Sequence, residues 1–98
     1  MFIKIHQSYR QIVAICDSEL LGKRFEEGYR ILDVRETFYK GEQVYTNRAR
    51  EIMIDLAKED ATFNIIGERA IKLALEIGLI VKSGIGRVNN IPFSLVLM

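Results

Sequence analysis

The stretch Phe2-Ile3-Lys4-Ile5-His6, Gln7-Ser8-Tyr9-Arg10, Gln11-Ile12-Val13-Ala14-Ile15-Cys16 decides how the fold begins. Two runs rich in β-branched residues flank a short polar segment, the pattern of a β-hairpin over residues 2–6 and 11–16. A turn symmetric about Ser8 and Tyr9 sets Ile5 opposite Ile12, Ile3 opposite Ala14 and Met1 opposite Cys16. Facing residues share a side of the sheet, so these form one apolar face. The other face carries Lys4 and His6 near the turn, with Phe2 beside Ile15 further away. One face reads as core and the other as partly wet.

Working outward, Asp17 stands where a helix N-cap would, before Ser18-Glu19-Leu20-Leu21 and a stopping Gly22, about one helical turn. Tyr29 to Val34 reads as a third strand interrupted by Asp33, and Thr37 to Gly41 as a loop holding Phe38 and Tyr39. Ala49, Ile52, Met53, Leu56 and Ala57 fall at helical spacing, while Arg50, Glu51, Asp55 and Lys58 lie off that stripe; the spacing predicts a helix over about 47–59. Ala70, Ile71, Leu73, Ala74, Leu75 and Ile77, followed by Gly78, predict a second helix over about 68–77. Leu79 to Val81 reads as a short extended run. Val88 to Met98 reads as one or two closing strands, with Pro92 favouring an edge or a bend. Strands and helices do not alternate as a doubly wound sheet requires. The expected architecture is a single small α+β domain spanning 1–98, a small and largely antiparallel sheet packed by two helices.

Composition removes many functions. The 98 residues fit about one domain, and 14 Lys and Arg against 13 Asp and Glu give no global charge that points at a polyanion. The chain has one Cys and one His. One Cys makes no internal disulfide and suits a reducing, cytoplasmic setting, and Cys and His together fall short of a zinc site. In the hairpin register above, His6 and Cys16 sit on opposite faces and roughly 16 Å apart at 3.3 Å per residue, too far for a nucleophile and its base. Cys16 is expected as a buried packing residue. No Gly-x-Ser-x-Gly turn presents a serine, and the adjacent acids Glu26-Glu27 and Glu59-Asp60 are of a kind that rarely converges on one point, which leaves a carboxylate-only Mg²⁺ site as a minor alternative to solvated faces. Met1-Phe2-Ile3-Lys4-Ile5-His6 has no basic region followed by an apolar run, so no signal peptide is expected, and no run is long enough for a bilayer-spanning helix. Ser83-Gly84-Ile85-Gly86, between Lys82 and Arg87, offers an anion nest but lacks the ending of a nucleotide-binding loop; a β-turn is the expected reading. No catalytic residue, metal ligand or cofactor is expected, and the reading leans away from an enzyme.

Two binding functions remain. Residues 22–50 hold seven Lys or Arg against five acids, together with Phe25, Tyr29, Phe38, Tyr39 and Tyr45, whereas residues 51–76 hold three cations against six acids. Cations interleaved with aromatics are what single-stranded RNA recognition uses, through phosphate contacts and base stacking. Lys23, Arg24, Arg35, Tyr39 and Lys40 are the expected contact surface of a module that binds RNA or a ribonucleoprotein. The alternative is a protein partner or a second copy, met through the apolar tail Leu95-Val96-Leu97-Met98 or the exposed face of helix 47–59.

Several spaced motifs carry a family resemblance. Cys16-Asp17-x-Glu19-Leu20-Leu21-Gly22-Lys23-x-Phe25-Glu26-Glu27-Gly28, then Phe38-Tyr39-x-Gly41-Glu42, Asn64-x-x-Gly67-Glu68 and Gly78-Leu79-Ile80 together resemble a short archaeal family, Domain of Unknown Function 424 (DUF424). The match runs from Ile3 to about Pro92. The family tends to show Val-Pro-His-Ala near its end, where this chain reads Ile91-Pro92-Phe93-Ser94, so no shared histidine chemistry is expected there. The resemblance implies a small archaeal, cytoplasmic α+β protein with a role near RNA or the translation machinery. It also implies that Gly22, Gly28, Gly41 and Gly67 meet a positive φ or a close backbone approach.

Overall fold

The run Ile12-Val13-Ala14-Ile15-Cys16 does not alternate between apolar and polar residues, the signature of a strand covered on both faces, and it lies at the heart of the molecule. In a computed structural model, which describes residues 1–97, the elements follow in order: β1 (Phe2–His6), β2 (Ile12–Cys16), a 3₁₀ turn (Ser18–Leu20), β3 (Arg24–Glu27), β4 (Arg30–Asp33), α1 (Glu36–Tyr39), β5 (Glu42–Gln43), α2 (Thr46–Lys58), β6 (Thr62–Ile66), α3 (Glu68–Glu76), a second 3₁₀ turn (Lys82–Gly84), β7 (Gly86–Val88) and β8 (Ile91–Val96). Six strands form one sheet in the order β5-β1-β2-β6-β8-β7, while β3 and β4 make a separate hairpin. Among the described residues, only the β2–β6 pair is parallel. The fold is thus α+β with a largely antiparallel sheet, as the sequence predicts.

Each face of this sheet has its own core. Val13, Ile15, Phe63 and Ile65 point to one side, where Ala49, Met53 and Leu56 of α2 and Ala70, Ile71, Leu73 and Ala74 of α3 cover them. Ala14, Cys16 and Ile66 point to the other, against Leu32, Val34 and Tyr39 from the β3–β4 hairpin and α1. The two predicted helices are therefore both present, at Thr46–Lys58 and Glu68–Glu76, and on the same face. The 3₁₀ turn, β4 and the closing strands fall where the sequence places them, and Met98 lies outside the described residues.

The hairpin register differs from the expectation by one residue. Ile3 faces Ile15, Ile5 faces Val13, His6 faces Ile12 and Phe2 faces Cys16. The connection Gln7–Gln11 is an odd loop centred on Tyr9, so the pairing slips by one step and every cross-strand partner changes. His6 and Cys16 consequently share a face, yet they lie at opposite ends of the hairpin, about 13 Å apart along the strand. Three further corrections have local causes. The run Leu79–Val81 is not a strand: Leu79 donates to the Ala74 carbonyl at 2.9 Å and Gly78 to the Leu75 carbonyl at 3.1 Å, so the segment closes α3. The expected loop at Thr37–Gly41 begins inside the single turn of α1. Pro92 lies in a strand paired on both sides, one step past the Asn89–Asn90 turn; β6 pairing starts only at Phe93, so no ladder bond needs a proline N–H.

Two glycines act through close approach. A Cβ at Gly41 would run into the Ile3 carbonyl, so only glycine lets this turn lie against β1. Gly67 has φ +113° and faces the Asp17 side chain, which a Cβ would overlap.

Candidate functional site

The site is built where the parallel strands β2 and β6 end side by side. Asp17 follows β2 and Gly67 follows β6, and the backbones are tied by Asp17 N–H donating to the Ile66 carbonyl at 3.0 Å. Gly67 occupies the N-cap of α3 and has no side chain with which to cap it. Asp17 supplies the cap from the neighbouring strand. Its Oδ2 accepts the Arg69 N–H at 3.0 Å and its Oδ1 the Ala70 N–H at 2.9 Å. Asp17 is thus a helix cap, but of α3 and not of the turn that follows it. At 3% exposure it is buried, and desolvation pushes its carboxyl above the ordinary value despite the two N–H bonds.

This arrangement aims Arg69. Its backbone is held by Asp17, and its guanidinium meets both oxygens of Glu19, at 2.9 and 3.1 Å. Beside it, a groove of about 560 Å³ runs between α3 and the segment 82–87, lined by Arg69, Lys72, Lys82 and Arg87 with a single carboxylate, Glu68. Ile71, Leu75 and Ile85 supply its apolar surface. Arg87 meets Glu68 at 3.2 Å, while Lys72 and Lys82 have no ion-pair partner among the described residues. Four cations from α3 and from the segment that folds back beside it therefore edge one groove, two of them with no ion-pair partner among the described residues.

The residues expected from sequence are arranged otherwise. Lys23 and Arg24 open the β3–β4 hairpin, Arg35 precedes α1 and Lys40 follows it; all four are exposed. Arg24 is bound to Glu26 at 3.0 Å and Arg35 to Asp33 at 3.0 Å. Tyr39 is 6% exposed and packs in the core under α1, so its ring offers no stacking surface; this corrects its place in the expected contact surface. Its hydroxyl's pKa is raised, chiefly by desolvation. The cleft beside Arg35 holds about 390 Å³ and contains one cation and one acid already bonded to each other.

Sequence reasoning places Lys82 and Arg87 beside a glycine turn and omits them from the contact surface. The i, i+3 spacing of Arg69 and Lys72 on the polar side of α3 is the available signal; what it lacks is the topology that lays segment 82–87 beside α3. Cys16 is fully buried, and burial pushes its thiol up to about 11, as befits a packing residue. His6 stacks on Phe38 with ring centroids 4.5 Å apart and its Nε2 lies 2.8 Å from the Phe38 carbonyl, which fastens α1 to β1. Among the described residues, no group of three or more Cys, His, Asp or Glu is placed to hold a metal ion, and no helix is long and apolar enough to cross a membrane.

Comparison with known proteins agrees with this architecture. The fold matches a solved structure described as an uncharacterized conserved protein from Methanopyrus kandleri, with a TM-score of 0.84 and 26% identity over 98% of this chain and 90% of that one. No curated protein matches the sequence. The model of a family described as Protein of unknown function (DUF424) matches residues 5–98, and the chain belongs to that family.

Proposed function

We propose that the protein is a non-enzymatic module that binds RNA or a ribonucleoprotein, with the translation machinery as its setting, and that the groove between α3 and segment 82–87 receives the polyanion. The observation that carries this reading is the gathering of Arg69, Lys72, Lys82 and Arg87 around one groove that also presents apolar surface. Cations neutralise phosphates, and apolar side chains tolerate the faces of unpaired bases. Lys23 and Lys40, exposed beside the β3–β4 hairpin and α1 on the other face of the sheet, are secondary contacts. In a binding titration with an oligoribonucleotide, affinity should fall steeply with salt. The double substitution Lys72→Glu, Lys82→Glu should weaken binding at least about tenfold and flatten the salt slope by roughly 0.7 for each phosphate that is no longer neutralised. Unchanged binding by that variant would remove the groove from the account.

A second reading is favoured by a different observation. Leu95 near the end of β8 and Leu97 just past it are 55% and 73% exposed, an apolar pair that suits a protein partner or a second copy of the chain. Under this reading, sedimentation should show association that survives nuclease treatment and weakens in Leu95→Asp, Leu97→Asp; a strict monomer that captures no protein would remove it.

A further inference from the structure

Arg69 lines the basic groove and also an adjoining cleft of about 500 Å³, which Ser18, Gln43, Tyr45 and Thr46 help to form. The chemistry changes across that residue. On the groove side the polar groups are mostly cations; on the cleft side they are two hydroxyls, an amide and a phenol, with the one cation besides Arg69, the Met1 ammonium, donating to the Val44 carbonyl at 3.1 Å. Tyr45 is 92% exposed, yet the chain beneath it is pinned, with Val44 N–H donating to the Met1 carbonyl at 2.9 Å and the Tyr45 carbonyl accepting the Ala49 N–H at 3.0 Å. An aromatic ring on a fixed backbone stacks with little loss of conformational freedom. Gln43 donates to the Ser18 hydroxyl at 3.3 Å, which holds its side chain toward the cleft and leaves its carbonyl oxygen and second N–H for a ligand.

Resting on the RNA reading above, the geometry points to a single strand as the ligand: phosphates follow Lys82, Lys72 and Arg69, and one unstacked base turns into the adjoining cleft against Tyr45, its edge met by Gln43 and Thr46. A duplex keeps its bases paired and stacked, so it offers phosphates to the groove but no base to the cleft.

The test uses the full chain, a single-stranded oligoribonucleotide carrying 2-aminopurine, and a blunt duplex of the same sequence. The single strand should bind more tightly than the duplex, and the fluorescence of 2-aminopurine should be quenched on binding as the base stacks. Tyr45→Ala should lower single-strand affinity about tenfold, abolish the quenching and leave the salt slope unchanged, because the ring carries no charge. Tyr45→Phe should bind like the parent. Equal affinity for duplex and single strand, or a Tyr45→Ala variant that binds and quenches normally, would overturn the base cleft. Binding that survives Lys72→Glu, Lys82→Glu would overturn the groove reading itself, so the two failures are separate.

Discussion

The β3–β4 hairpin with α1 and the groove at the start of α3 both carry basic residues, and they use them differently. In the first region two arginines pair with acids beside them in sequence, Arg24 with Glu26 two residues on and Arg35 with Asp33 two residues back, while Lys23, Arg30 and Lys40 form no ion pair among the described residues. Three of its aromatic residues pack inward, Tyr39 in the core, Phe25 against it and Phe38 stacked on His6, while Tyr29 at the hairpin tip is exposed. In the second region the cations come from α3 and from segment 82–87, which folds back beside it, and they edge one groove lined by one carboxylate. Charge that clusters along a sequence is thus not charge that clusters in space. Arg24 and Arg35 spend their positive charge on local neighbours, while Lys72 and Lys82 keep theirs.

Substitutions in both regions put this contrast at risk. The largest effect is expected at Tyr39, because it is a buried ring and not a contact. Tyr39→Ala should cost about 3 kcal/mol of stability or more in denaturant unfolding, with RNA affinity of the folded fraction unchanged; a stable variant with weakened RNA binding would restore Tyr39 to a contact surface. Next is Asp17, which holds the groove side of the molecule together. Asp17→Ala leaves two N–H groups of α3, one buried and one partly buried, without their acceptor and should cost about 2 kcal/mol.

The same residue gives a pH dependence with a definite sign. Burial raises the folded-state pKa of Asp17 above its unfolded value, so the folded protein takes up this proton first as pH falls. The stability contributed by Asp17 therefore falls as pH rises through the window between the two values. The stability of the parent relative to Asp17→Asn should increase as pH is lowered from about 7 toward the ordinary carboxylate range. A gap that moves the other way would mean that the two N–H bonds outweigh burial. The smallest effect belongs to the hairpin: Arg24→Ala and Arg35→Ala should each change stability by no more than about 0.5 kcal/mol, since exposed ion pairs contribute little.

What is legible in the sequence follows from the range of the interactions involved. The helices declare themselves through the spacing of Ala49, Met53 and Leu56 and through Gly78, because amphipathic periodicity and a C-terminal glycine are local signals. The hairpin is legible as a hairpin, but its register hangs on whether Gln7–Gln11 closes about Ser8 and Tyr9 or about Tyr9 alone, a difference of one residue that composition does not carry. β3 escapes notice because Arg24-Phe25-Glu26-Glu27 has a single large apolar residue, and the strand exists through pairing with β4 and the packing of Phe25. The role of Asp17 can be named but not placed: a cap is expected, and its helix begins some fifty residues later. The groove is hidden because it depends on the chain turning back after Gly78 to lay segment 82–87 beside α3 on one face of the sheet, a path that the periodicity of α3 does not carry.

The most direct measurement of the central claim is a salt series with one single-stranded oligoribonucleotide and three proteins: the parent, Lys72→Glu with Lys82→Glu, and Lys23→Glu with Lys40→Glu. Both variants change net charge equally, so any difference between them reports position. The groove pair should lose the larger share of affinity, at least about tenfold, and the larger share of the salt slope, with the hairpin pair showing a smaller loss in both. Equal losses would reduce the interaction to net charge, and a larger loss from Lys23 and Lys40 would move the interface to the β3–β4 hairpin and contradict the account.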